Sequence, residues 1–196
     1  MQFILGSQSP RRREILEFFD IPFKQVSPQF DETSIPFHDN PSEYVQLLAK
    51  GKADSLIYQF PDAIILTADT IVYQAGKIYG KPKDQQEAFT YLKELSGKWH
   101  SVFTGLTISL RGQDFQAQEE TRVLFNVLTE EQVNIYIQKL ACSDKAGGYM
   151  IQGAGGLIVK RIEGCYYNVV GLPLNALCSV LNQAGIDLWK HFTRQA

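Results

Sequence analysis

Apolar positions in this 196-residue chain fall into short runs that alternate with amphipathic stretches. Phe3-Ile4-Leu5 has strand length and ends in the small polar turn Gly6-Ser7-Gln8-Ser9. Ser9 before Pro10 predicts a helix start: a serine hydroxyl satisfies free N–H groups, and proline forfeits no hydrogen bond at the first helical position. Ile15 to Phe19 give that helix an apolar face, and Asp20-Ile21-Pro22 predicts its end. Phe23 to Ser27 alternates as a strand does, and residues 28–40 form a polar loop carrying Asp31 and Glu32. Asn40-Pro41-Ser42-Glu43 sets a cap three residues before a glutamate, opening a long helix. In it Leu47, Leu48, Lys52 and Leu56 fall at helical spacing, which stands Lys52 beside the apolar face. Ala63 to Leu66 is a continuous apolar run, the mark of a buried central strand. It leads directly into Thr67-Ala68-Asp69-Thr70, and a second run, Ile71-Val72-Tyr73, continues it.

Further along, Gln74-Ala75-Gly76-Lys77 predicts a hairpin turn, and Asp84 with Glu87 caps a helix that stops at Ser96-Gly97. Two long strands are expected over 99–110 and 115–128, joined at 111–114. In the second, Thr121, Val123, Phe125 and Val127 alternate with Arg122, Leu124 and Asn126. Thr129-Glu130-Glu131-Gln132 is a capping box for a helix through Leu140, and 144–156 is a glycine-rich loop. Leu157 to Ile162 then predicts a strand, and Gly171-Leu172-Pro173 starts the last helix. The order implies an α/β fold, a mixed and twisted sheet with flanking helices. With no internal repeat or linker, residues 1–196 are expected to form a single domain. Polar candidates sit where apolar runs end, which is where α/β proteins bind ligands.

Composition changes this picture little. Nineteen Lys and Arg against 21 Asp and Glu give a net charge of −2, which argues against a polynucleotide or membrane-surface binder. Cys142, Cys165 and Cys178 form no CxxC pair, as expected of buried thiols in a reducing compartment. His38, His100 and His191 are far apart and form no zinc pattern. His100, between Trp99 and Ser101 at a strand start, is expected to be structural. The start of the chain lacks the basic and apolar regions of a signal peptide, and no run approaches the about 18 apolar residues of a membrane span. The cytoplasm is therefore the expected setting.

Charge placement is more informative. Arg11, Arg12 and Arg13 fill a first helical turn, where free N–H groups already carry about half a positive charge. Each arginine there is unfavourable by roughly 0.3–1 kcal/mol unless an anion compensates it. Two readings follow: a phosphate site, or a solvated basic face paired with acids elsewhere. Asp69, at the end of a buried run, either binds its own backbone or belongs to a site with Glu32, Lys52, Lys81 and Lys145. Carboxylates with lysines suit phosphoryl chemistry: the acids hold a divalent cation and the bases neutralise phosphate. The glycines of 147–156 match neither a dinucleotide fingerprint nor a P-loop. Gln152 among them has an amide that both donates and accepts, which suits the imide edge of uracil or thymine.

Taken together, Ser7-Gln8-Ser9-Pro10-Arg11-Arg12, Ala68-Asp69-Thr70-Ile71-Val72, Gly80-Lys81-Pro82, Asp144-Lys145-Ala146-Gly147, Ile151-Gln152-Gly153 and Val169-Val170-Gly171-Leu172-Pro173 resemble the Maf nucleotide pyrophosphatases, in order and spacing, over essentially the whole chain. The resemblance implies a fold related to inosine triphosphate pyrophosphatases, with two lobes around a deep cleft. It implies a Mg²⁺- or Mn²⁺-dependent, cytoplasmic homodimer that cleaves a nucleoside triphosphate to the monophosphate and pyrophosphate. Position by position, Asp69 corresponds to the family's catalytic acid, a proton acceptor. Arg12, Thr70 and Gln152 stand where the family selects substrate, and Thr70 with Gln152 matches the dTTP/UTP branch. Ser7, Arg11, Lys52, Lys81 and Lys145 resemble its phosphate-handling residues, and Glu32 with Asp69 its metal ligands. Gly6, Gly148, Met150 and Cys142 depart from the usual pattern. A 7-methyl-GTP or other purine triphosphate pyrophosphatase, and a non-catalytic nucleotide-binding regulator of cell division, are the alternatives.

Overall fold

A computed structural model describes residues 1–140 and 144–192; Cys142 lies outside them. The strands are β1 (Phe3–Gly6), β2 (Phe23–Val26), β3 (Ile64–Gln74), β4 (Lys77–Tyr79), β5 (Trp99–Leu110), β6 (Gln113–Phe125) and β7 (Val159–Glu163). The helices are α1 (Pro10–Leu16), α2 (Pro41–Ile57), α3 (Gln85–Leu95), α4 (Glu130–Lys139), α5 (Tyr166–Val170) and α6 (Leu174–Gln183). The sheet runs β2-β1-β3-β5-β6-β7, with β4 also paired to β3. β1 is parallel to both β2 and β3, whereas β3–β4 and β6–β7 are antiparallel, so the sheet is mixed as the pattern predicts. Among the described residues no helix is long and apolar enough to cross a membrane.

Two compact units divide the chain. The first comprises Met1–Asp69, Thr104–Glu119 and Gly171–Ala196. All four residues of β1 are buried, as a strand flanked by parallel neighbours requires. Ile4, Leu56, Ala63 and Ile65 form one apolar cluster. Along α2 the buried residues include Val45, Leu48, Ala49, Lys52, Ala53 and Leu56. α2 approaches β5 closely: a Cβ on Gly105 would lie 2.4 Å from the Val45 carbonyl oxygen, so only glycine permits that contact. Thr67 Oγ1 donates to the Ala49 carbonyl at 2.6 Å and joins α2 to β3.

The second unit comprises Thr70–Phe103 and Glu120–Val170. Its core is more aromatic, with Tyr79, Phe125, Tyr136 and Tyr149 among Val72, Leu92, Leu95, Val102, Val123 and Ile158. Thr121, Val123 and Phe125 are buried and Arg122 is exposed, as the alternation predicts; Val127 lies beyond β6 and is exposed.

Four boundaries differ from the sequence reading, the first being β6, which runs Gln113–Phe125 rather than 115–128. α1 stops at Leu16 rather than reaching Phe19. Phe18 and Phe19 close tight turns onto Ile15 and Leu16, and Phe19 forms an antiparallel bridge with Phe192. A tertiary pairing therefore takes the last apolar pair from the helix. β7 begins at Val159 rather than Leu157, because Gly153–Ile158 closes into 3-10 turns and Asn126 N donates to the Ile158 carbonyl at 2.8 Å. Finally, Asp69 does not stand beyond the end of its strand: β3 runs on through Thr67-Ala68-Asp69-Thr70.

Candidate functional site

That last difference defines the site. Asp69 is inside its own strand, yet β1 stops at Gly6, opposite Thr67, so Asp69 extends past the carboxyl end of its parallel neighbour. Ser7 immediately follows β1, at the same end. Open α/β sheets bind ligands beyond the carboxyl ends of their strands. Gly6 is packed tightly there: an added Cβ would come within 2.7 Å of Leu56 Cδ1 and Thr67 Cγ2.

Lys52 is buried on α2, and its Nζ donates both to Asp69 Oδ1 and, at 2.8 Å, to Glu32 Oε1. Glu32 is half exposed, at the start of a 3-10 turn (Glu32–Ser34) that Asp31 caps through the Thr33 amide at 3.0 Å. One ammonium thus gathers two carboxylates. Burial lifts the Asp69 carboxyl above the ordinary carboxylate range; Lys52 and Arg12 pull against this, and Glu32 adds to it. Tyr44 is raised by desolvation and by the negative charge of Asp69 and Glu32. The sequence reading passed over Tyr44, although Tyr44, Leu48, Lys52 and Leu56 recur every fourth residue and so share a helix face.

The three arginines of α1 separate. Arg12 donates through Nε to the Gly171 carbonyl at 2.8 Å and through Nη1 to Ser7 Oγ at 3.2 Å. Loss of water lowers its pKa, against the attraction of Asp69, from a starting value so high that it stays a cation. Arg13 turns outward and pairs with Glu17 at 2.7 Å, with both side chains about half exposed, so the solvated-face reading holds for it. Arg11 is half-buried beside Arg12, whose pKa its charge also lowers. The Ser9 cap is as predicted, with Ser9 Oγ accepting from Arg12 N at 3.4 Å. α1 has only seven residues, so its dipole is short and the cations here are mainly side chains.

Thr70, Lys81, Lys145 and Gln152 belong to the second unit. Thr70 is half-buried on β3. Lys81 is exposed, between Gly80 and a buried Pro82. The Gly80 carbonyl accepts from Gly147 N at 3.0 Å, tying this turn to the glycine-rich segment. Lys145 pairs with Asp144. Gln152 is half-buried, and its carbonyl accepts from Gly155 N at 3.1 Å. Tyr136 braces this segment: its hydroxyl accepts from Met150 N at 3.2 Å and lies 3.0 Å from the Met150 carbonyl. His100 is buried in the aromatic core with Nε2 2.9 Å from the Tyr149 hydroxyl, and burial lowers its pKa to about 4. It is a structural histidine, as expected.

Comparison with known proteins agrees with the motif order. The sequence profile described as Maf-like protein matches residues 2–184. A dTTP/UTP pyrophosphatase of Chlamydia caviae is 44% identical over 191 residues, 97% of each chain. Another, of Clostridium novyi, is 44% identical over 191 residues, 96% of this chain and 100% of its own. A nucleoside triphosphate pyrophosphatase of Chlamydia muridarum is 41% identical over 97% of both chains. With the profile spanning nearly every described residue and relatives of matching length, this chain belongs to the Maf-like protein family.

Proposed function

We propose that this protein hydrolyses dTTP and UTP to the nucleoside monophosphate and pyrophosphate. The observation that carries the reading is the buried Asp69, held with Glu32 by one lysine ammonium and in the field of Arg12. Relatives alike over nearly the full length carry the names dTTP/UTP pyrophosphatase and nucleoside triphosphate pyrophosphatase.

Glu32 and Asp69 fit a magnesium or manganese ion by the chemistry of their donors. Two carboxylates converging on one cation are what such an ion takes when phosphate oxygens complete its shell. Among the described residues no cluster of three acidic, histidine or cysteine ligands exists. A bound ion would neutralise phosphate charge and make its water more acidic.

Asp69 takes the proton of a water attacking the α-phosphorus, and the bond from that phosphorus to the bridging oxygen breaks, releasing pyrophosphate. Burial raises the Asp69 carboxyl pKa, which makes the carboxylate a stronger proton acceptor. Lys52 holds the charge that grows on the phosphate oxygens, with Ser7, Arg11, Arg12, Lys81 and Lys145 along the triphosphate. Gln152, with Thr70, reads the imide edge of the pyrimidine, and Arg12 completes the selection. Homodimerisation and a cytoplasmic setting belong to the same reading and rest on family membership.

Pyrophosphate release across a panel of triphosphates, with and without Mg²⁺ or Mn²⁺, tests this. The expected result is metal-dependent release from dTTP and UTP ahead of purine triphosphates. Preference for 7-methyl-GTP overturns the substrate, and binding without release overturns the activity.

A further inference from the structure

The strand-to-helix turn between β1 and α1 is only three residues long, Ser7 to Ser9, and carries much of the site's polar geometry. Ser7 Oγ accepts from Ser9 N and from the Arg12 guanidinium, both at 3.2 Å, so the setting of Arg12 depends on where this turn lies. The turn is itself held from outside. Gln25, on β2 opposite Leu5, directs its amide Nε2 to the Ser7 carbonyl at 2.8 Å and to the Ser9 carbonyl at 3.3 Å. A second tie runs from Gln8 Nε2 to Ser27 Oγ at 2.6 Å, just past the end of β2. Parallel pairing fixes the height of Gln25 against β1, and the carboxamide needs both hydrogens to serve two carbonyls.

We infer that Gln25 is a positioning residue: its amide holds the Ser7–Ser9 turn and, through Ser7, sets the aim of Arg12 on the substrate. Gln25 itself touches the turn and takes no part in proton transfer. This rests on the proposed reading of the site, in which Arg12 contacts the nucleotide. The consequence is specific. Loosening the turn weakens substrate binding and the choice of base, while Asp69 and Lys52, anchored on β3 and α2, keep their chemistry.

Two variants separate positioning from packing. Gln25→Leu removes the donors at similar volume. Gln25→Glu preserves shape and polarity but faces a carboxylate toward two carbonyl oxygens. We expect KM for UTP to rise about five- to tenfold in Gln25→Leu, on the order of one hydrogen bond, with kcat within about twofold. Preference for UTP over GTP should narrow by a similar factor. Gln25→Glu should be worse than Gln25→Leu, the reverse of what size and polarity alone would give. Amide hydrogen exchange at Ser9 and Arg12 should quicken in both variants, with exchange in the second unit unchanged. An active Gln25→Leu enzyme with unchanged KM and base preference overturns the inference, as does a Gln25→Glu enzyme milder than Gln25→Leu. If the wild-type protein releases no pyrophosphate, the functional reading fails instead; unchanged exchange at Ser9 and Arg12 then overturns the inference independently.

Discussion

Each unit buries an ionisable side chain, and the two are treated in opposite ways. Asp69 in the first unit is surrounded by charge, with Lys52 bonded to it and Glu32 and Arg12 in its field. His100 in the second unit is surrounded by rings: Phe125 at 4.6 Å and Tyr149 at 5.4 Å between centroids. Burial pushes both groups toward their neutral forms, raising Asp69 and lowering His100. Only for Asp69 does the protein supply opposing charges. Burial alone therefore does not mark a working residue; burial with counter-charges maintained against the desolvation cost does.

The contrast can be broken most severely at Asp69. Asp69→Asn should lower turnover by roughly a hundredfold or more, the usual yield of a positioned base, with the fold unchanged by circular dichroism. Near-normal pyrophosphate release would return Asp69 to the same structural class as His100. Lys52→Met comes next. Removing one partner of a buried pair should cost about 3–5 kcal/mol of stability, read from urea denaturation. A wild-type midpoint would mean the pairing is incidental.

His100 sharpens the other side. Its folded pKa of about 4 lies below the unfolded 6.5, so its contribution is full above pH 6.5 and is lost as pH falls toward 4. The loss should reach about 3 kcal/mol, and His100→Gln should flatten that slope while leaving turnover at pH 7 within about twofold. An unchanged slope would place the acid sensitivity elsewhere. Smallest of all, Arg13→Ala should shift stability by under about 0.5 kcal/mol and leave KM unaltered, because its pairing with Glu17 is solvated.

Much of the framework is legible in the residue pattern. Caps at Ser9, Asn40, Asp84 and Thr129 all form, because capping depends on local chemistry that the residue type carries. Helical spacing alone stands Lys52 beside the apolar face of its helix, where it is buried. Asp69 was harder to place: a polar break in an apolar run looks like a strand end, and nothing local shows that the Thr67 hydroxyl is already satisfied by α2. The partition of the arginines was hidden as well. Arg12 finds its acceptor on the Gly171 main chain, 159 residues away, and a carbonyl oxygen leaves no trace in residue type. The grip of Gln25 on the Ser7–Ser9 turn was invisible for the same reason.

Lys52 has a further consequence. Its ammonium stands between two acids that would otherwise repel, so the resting protein carries a resident counter-ion of its own. On the proposed metal dependence, treatment with a chelator should silence hydrolysis yet leave the melting curve in place, because Lys52 already offsets the two acids.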